Sequence, residues 1–463
     1  MKYKKPLTKQ SLLLLLLPAI VLISWERSPR KGGADELQVP VTYYKLTNGL
    51  KVVLSPDKTA PTVAVGVYYN IGFRNEPRNR TGFAHLFEHM MFQGSENLGK
   101  MEFIQLVQKN GGVLNGSTRF DFTNYWEVMP AHKLETALWA EADRMKGLKI
   151  TQENLTNQQG VVKNEVKVNV LNQPYGGFPW LDMPQYANKN WYNAHNFYGD
   201  LADLDSAKLE DVDAFFKTFY APNNAVLVVT GDFEIPAARK WIDQYFSKIP
   251  ASKLPPKPDL TEPAQEKEQR FTKEDKLAKK PALAVGYKMP ERNTPEYYAM
   301  GLIDQILVQG QDSKLYELLV QKKGYSAGVS GGINIGLGNM FDYNGPMLWV
   351  SNLTYDSTVT SDEIIAQYDK AVAELNNVTA EDLQLALVKI RSGLYDAMGG
   401  NFGIGKVNLL ACFALFDDDP SRINRLENEF KKVTPELVRK TAQQYLSPKN
   451  RTILIIEPKA PKA

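Results

Sequence analysis

The chain has 463 residues, 43% of them apolar and 23% charged, which is too long for one ordinary core and normal in composition for a globular protein of two or more domains. Its 55 basic and 52 acidic residues leave a formal charge of +3. No general field draws nucleic acid to it, and no local basic patch takes its place, so nucleic acid is not an expected partner. The single cysteine, Cys412, cannot close an internal bridge. In the apolar stretch Leu409 to Leu415, with no neighbouring His, its thiol reads as buried and inert.

At the N-terminus Lys2, Lys4, Lys5 and Lys9 precede an apolar run from Leu12 to Trp25, broken by Pro18 and Ser24. That is the charged start and apolar middle of an export signal. The run is short for a membrane span, which needs ~20 residues. Residues 1–35 are therefore expected to direct the chain to the periplasm. They are cleaved or, since no small-x-small site follows Trp25, kept as an inner-membrane anchor.

Residues 36–250 mix strand and helix patterns. Lys51 to Ser55 alternates like a half-buried strand, and Val63 to Tyr69 forms an early apolar one. From Thr81 to Gly94 nothing breaks a helix that Asn79 or Thr81 can cap and Gly94 can end. His85 and His89 lie four apart on it, on one face, with Glu88 beside them. Two imidazoles and an adjacent carboxylate can bind zinc and deprotonate water, and His-x-x-Glu-His inverts the order of the common zinc-peptidase helix. Only four histidines exist in the chain, and the other two, His132 and His195, lack ligand-like spacing and read as structural.

Zinc needs a third protein ligand. In the helical segment Thr151 to Leu171, Gln158, Val161, Val162, Glu165 and Val168 fall on one stripe. An acid on an apolar stripe is costly to bury unless a cation meets it. Glu165 is therefore either a metal ligand or an edge carboxylate paired with Lys163 or Lys167.

Residues 251–280, rich in proline and then in charge, read as an extended linker. Its flanks resemble each other. Leu209 opens a helix that ends at Tyr220 to Asn224, and the strand Ala225 to Val229 follows. Thr434 to Leu437 opens another, followed by a turn at Tyr445 to Asn450 and a strand at Thr452 to Ile456. With Ala282 to Tyr287 matching Val63 to Tyr69, the spacing is about 220 residues, far beyond any solenoid period. The fold class is therefore α+β, with residues 36–250 and 281–463 as two homologous sandwich domains in a clamshell around a shared cavity.

Three further signals carry no chemistry. Gly400 to Lys406 nearly matches a phosphate loop, but Val407 stands where a Ser or Thr is needed, so it reads as a flexible loop. Gly331 to Gly338 looks like hairpin punctuation, and Asp417-Asp418-Asp419-Pro420 like a turn that opens a helix.

The stretch Gly72-Phe73-Arg74-Asn75-Glu76-Pro77, followed by Thr81-Gly82-Phe83-Ala84-His85-Leu86-Phe87-Glu88-His89-Met90-Met91-Phe92, resembles the signature of the pitrilysin/insulinase family, which includes processing peptidases. The likeness covers nearly everything after residue 40. It implies one zinc per chain, held by His85, His89 and a Glu in a helix before an Asn-x-Pro-Tyr-Gly-like sequence. Glu165 stands 76 residues after His89, and Asn172-Gln173-Pro174-Tyr175-Gly176 follows it. The resemblance also implies Glu88 as catalytic base and a β-edge at Gly111 to Thr118 that holds extended peptide, with Asn115 touching substrate. Where some members have an outer-shell Glu, this chain has Gln158.

Active members of the family also use an Arg and a Tyr, seven residues apart, from a C-terminal-type domain; aligned without gaps those positions are here Val320 and Ala327, and with Tyr325 as the Tyr its partner is Leu318, so the Arg is absent either way. A site unable to steady charge on the carbonyl oxygen loses several kcal/mol of transition-state stabilisation. The expectation is a zinc endopeptidase subunit whose homologous partner, in a heterodimer, supplies the Arg and Tyr. The alternative is a non-catalytic peptide-binding or structural subunit.

Overall fold

The structure is a computed structural model that describes residues 38–400 and 403–459; the expected export signal lies outside them. Six strands form the first sheet: β1 (Thr42–Lys45), β2 (Lys51–Pro56), β3 (Thr62–Tyr69), β4 (Val113–Thr118), β5 (Thr123–Pro130) and β6 (Ala225–Gly231), in the order β1-β2-β6-β3-β5-β4. Five more form the second: β7 (Gln269–Asp275), β8 (Ala282–Lys288), β9 (Ser330–Ile333), β10 (Leu348–Thr354) and β11 (Arg451–Pro458), in the order β7-β11-β8-β10-β9.

The two orders are the same once β1 is set aside. β2 pairs parallel with β6 as β7 does with β11, and every other neighbour is antiparallel in both sheets. The duplication seen in the sequence is therefore a duplication of topology. The halves are also interlocked. The apolar helix Ile404–Asp417, from the second half, packs on β2, β3 and β6 of the first sheet. In return the helix Asp182–Ala187 puts Met183 and Ala187 into the core of the second sheet, against Ala282, Ala284, Leu348, Val350, Leu454 and Ile456.

Two glycines allow these approaches. A Cβ on Gly66 of β3 would stand 2.7 Å from Val407 Cγ1, and one on Gly286 of β8 2.7 Å from Met183 Cε. Both sit in an Ala-Val-Gly triplet, at Ala64-Val65-Gly66 and Ala284-Val285-Gly286.

The covering helices correct one expectation. Val52 to Ser55 are all buried, because the first sheet is covered on both faces, so Lys51 to Ser55 does not alternate. The expected linker is also shorter than residues 251–280. Residues 250–268 carry neither helix nor strand, but β7 occupies 269–275 and adds in parallel to β11. Its side chains alternate between exposed and part-buried, and Lys273 meets Asp182 of the first half at 2.9 Å. The Gly-rich run is likewise ordered where it is described: Lys406 lies in the helix Ile404–Asp417 and pairs with Asp57 at 2.7 Å, while Asn401 and Phe402 lie outside the described residues. Gly331 to Ile333 belong to β9 rather than to a turn. Cys412 is fully buried, and burial pushes its thiol far up.

Candidate metal centre

The helix Phe83–Met90 begins after Gly82, whose φ of 80° suits a residue without a side chain. Its first turn is not capped by Asn79 or Thr81, as the sequence suggested. The Thr81 hydroxyl is taken, donating to Asp203 at 2.7 Å and accepting from the Asp200 amide at 2.8 Å. Glu76 does the capping: its buried carboxylate accepts from the Gly82 amide at 2.9 Å and the Ala84 amide at 2.6 Å. A negative group there also suits the positive end of the helix dipole. Phe83, Ala84, Leu86, Phe87 and Met90 are buried, which fixes the rotation that sends His85, Glu88 and His89 to the remaining face.

Glu165 comes from the helix Gln152–Val166, capped by Thr151 and continued by a π-helical turn over Lys167–Leu171. Gln158 and Val162 are buried on its inner side, whereas Val161 and Val168 are exposed, so the predicted stripe is narrower than its five residues. Lys163 pairs with Asp205 at 2.6 Å, which leaves Glu165 free to face the histidines. The Gln158 amide donates to Asn157 at 2.8 Å.

Three atoms converge. His85 Nε2 and His89 Nε2 are 3.2 Å apart, and Glu165 Oε2 is 3.5 Å from the first and 3.4 Å from the second. Ligand atoms about 2.0–2.1 Å from a tetrahedral zinc ion stand roughly 3.3 Å from one another, so the triangle has the dimensions the ion requires. Among the described residues this is the one group of three His, Cys, Asp or Glu side chains close enough to hold a metal. Burial, reinforced by the neighbouring His89, lowers the His85 pKa to about 4, which keeps its ring neutral at ordinary pH and able to donate a lone pair. Among the described residues His85 Nδ1 is buried without a hydrogen-bond partner, and it is Nε2 that faces His89 and Glu165.

The surroundings orient these groups. Tyr198 donates to Glu165 Oε1 at 3.1 Å and leaves Oε2 for the histidines. The rings of Phe197 and Tyr198 stand 4.6 and 5.2 Å from that of His85. Thr118 of β4 donates to Glu88 Oε2 at 2.8 Å. Burial pushes the Glu88 carboxyl up, against the pull of Thr118, His89 and Arg119. Burial would also raise Glu165, but hydrogen bonds from His89 and Tyr198 help to overcome it and hold its pKa low. The two carboxylates thus sit in different environments.

β4 ends the first sheet, so its outer row of backbone groups has no strand partner among the described residues. Asn115 lies on it, exposed, with its side-chain oxygen accepting from the Gly116 amide at 2.9 Å. Val320 and Ala327 flank the close of a second π-helical turn, Glu317–Lys322, in the second half. Glu76, Thr118 and Tyr198 were not singled out from the sequence, and His195 was read only as structural. Of these Glu76 lay in a recognised motif and Thr118 at the end of the expected substrate edge, while nothing in the spacing of Tyr198 or His195 pointed to the site.

Residues 51–190 match the family described as Insulinase (Peptidase family M16), and residues 206–387 match the Peptidase M16 inactive domain. The chain is 29% identical over 283 residues to the zinc protease PqqE of Helicobacter pylori, a match spanning 60% of this chain and 63%, less than two thirds, of that protein. It is 24% identical over 293 residues to the uncharacterized zinc protease YmxG of Bacillus subtilis, spanning 62% of this chain and 68% of that one. A solved protease from H. pylori shares the fold with a TM-score of 0.83 at 22% identity, over 91% of this chain and 100% of that chain.

Proposed function

Because the chain belongs to the insulinase (peptidase M16) family, we propose that it is a zinc-dependent endopeptidase for extended peptides, with His85, His89 and Glu165 as metal ligands and Glu88 as catalytic base. The observation that carries this reading is the triangle of 3.2, 3.4 and 3.5 Å between three donor atoms, with a part-buried carboxylate on the same helix. Zinc held there supplies Lewis acidity to the attacking water and to the peptide carbonyl. Glu88 takes the proton from that water and returns it to the leaving amine; a carboxyl raised by burial is suited to both. Thr118 keeps one Glu88 oxygen bonded, which leaves the other to take the proton. The open edge of β4 adds the substrate as a further strand, which favours unfolded peptides, and Asn115 is placed to bond its backbone.

The expected Arg is absent, with Val320 or Leu318 in its place, and residues 206–387 match an inactive-type domain. Both support a divided site, in which a homologous partner provides the groups that steady the carbonyl oxygen. They also support the second reading, a peptide-binding subunit without catalysis. The lysine-flanked run Leu12 to Trp25 supports export to the periplasm. Zinc content and peptide hydrolysis, measured on the chain alone and mixed with a homologous partner, separate the two readings. Glu88→Gln is expected to keep an equimolar amount of zinc and lose at least ~100-fold in rate. Bound zinc with no hydrolysis in any mixture favours the peptide-binding subunit.

A further inference from the structure

His195 takes no part in the metal triangle, yet its surroundings are as specific as those of the triad. The side chain is 8% exposed. Its Nδ1 faces the Trp191 carbonyl oxygen at 3.1 Å, and its Nε2 faces the Phe73 carbonyl oxygen. The ring stacks on Trp191 at 4.3 Å with 11° between planes. Glu76 Oε2 lies 3.6 Å from Nε2. Arg78 lies over the Trp191 ring at 5.0 Å, and Glu262 accepts from the Asn193 side-chain amide at 2.7 Å.

A carbonyl oxygen only accepts hydrogen bonds, so a ring nitrogen that bonds to one must carry a proton. Both nitrogens of His195 face carbonyls. Only the doubly protonated ring satisfies both, and Glu76 lies within reach to balance its charge. Glu76 in turn accepts from the Gly82 and Ala84 amides, in the first turn of the eight-residue helix that carries His85, Glu88 and His89. We propose that His195 is a positioning residue, held as an imidazolium, which fixes Glu76 and through it the first turn of the metal-binding helix. It rests on the zinc reading of the triad. Metal sites tolerate only about 0.2 Å of error in ligand distance, and Glu76 holds two amides of the turn that leads into His85.

The test uses the full chain labelled with ¹⁵N-histidine. With four histidines, the long-range ¹H–¹⁵N spectrum holds four ring patterns. His132 is identified with His132→Gln, His85 and His89 by their response to added zinc, and the fourth pattern is His195. Two protonated nitrogens at pH 7.5 are expected there; a neutral tautomer overturns the proposal. Zinc affinity is then measured by chelator competition for His195→Gln and Glu76→Gln, each checked for folding by circular dichroism. Folded variants are expected to bind zinc about 10- to 100-fold more weakly than the native chain, the usual loss for an outer-shell partner. A folded His195→Gln with native affinity overturns the proposal. If His195→Gln does not fold, Glu76→Gln and the spectrum of the native chain decide. A native chain that binds no zinc refutes the metal reading itself, while the spectrum still reports separately on the His195 ring.

Discussion

Asp304 is a carboxylic acid that no cation pairs with among the described residues. It sits buried on the helix Pro295–Leu307, with Trp349 Nε1 donating at 2.7 Å and Gln309 Nε2 at 3.1 Å. Burial outweighs both donors and raises its pKa from 3.8 to about 7. Between those values the folded chain keeps a proton that the unfolded chain has shed, so stability is full below pH ~4 and falls by about 1.4 kcal/mol per pH unit until pH ~7. Asp304→Asn stays neutral and can still accept from Trp349. We expect it to flatten that decline and to exceed the native chain in stability at pH 8, as read by urea denaturation at pH 5 and pH 8. Equal slopes in both proteins would rule Asp304 out as the titrating group. The same residue marks a limit of sequence reading. Asp304 sits in an ordinary helical pattern, and only the Trp349 ring, 45 residues on, reveals its burial. The convergence of His85 and His89 was legible because residues four apart share one face of a helix. Glu165 was legible as an acid on an apolar stripe and, more firmly, by family resemblance. Thr118 and Tyr198 act through contacts between distant segments, which leave no periodic trace.

Elements were legible in proportion to how locally their pattern is set. β3, β6, β8 and β11 are apolar runs bounded by turn residues, and each lies where the pattern indicated. β7 was hidden, because Gln269–Asp275 is an edge strand whose exposed side chains read as a charge run; its strand character comes from pairing with β11. What the Ala-Val-Gly triplets do was equally invisible, since their meaning lies in the helices that cross them. At Gly66 the new Cβ of an alanine would meet the branched Val407 at 2.7 Å and the Tyr68 ring at 3.1 Å; at Gly286 it would meet only the end of Met183. A β-branched side chain is stiff, whereas a methionine can swing its methyl aside. Gly66→Ala is therefore expected to cost about 1–3 kcal/mol and Gly286→Ala less than about 1 kcal/mol, measured by chemical denaturation. The opposite order would mean that the helix Ile404–Asp417 is held less firmly on its sheet than Asp182–Ala187 is.

Two homologous halves joined by a proline-rich segment suggest parts that can be separated, and the interlocking argues otherwise. Without residues 404–417 the first sheet would expose the face over β2, β3 and β6, and Lys51 would lose its bonds to the Ala414 and Leu415 carbonyls at 2.8 and 3.3 Å. Without Met183 and Ala187 the second sheet would open its core at Ala284 and Leu454, and Lys273 would lose Asp182. The connecting segment is itself pinned: Glu262 accepts from the Lys189 and Asn190 amides at 3.0 and 3.1 Å and meets Lys288 at 3.1 Å. An apolar sheet face of this kind, left open to water, costs far more than the margin of about 5–15 kcal/mol by which domains are stable. Residues 39–268 and 269–463 expressed separately are thus expected to lack cooperative thermal unfolding, and to regain it when produced together. In the intact chain, fluorescence from Trp126 in the first sheet and from Trp349 in the second, each isolated by replacing the other tryptophans with Phe, should report one coincident transition. Two separate transitions, or an isolated fragment 39–268 that melts cooperatively and binds zinc, would show that each half closes its own core. The exchanged helices would then be attachments between two finished domains rather than parts of each other's core.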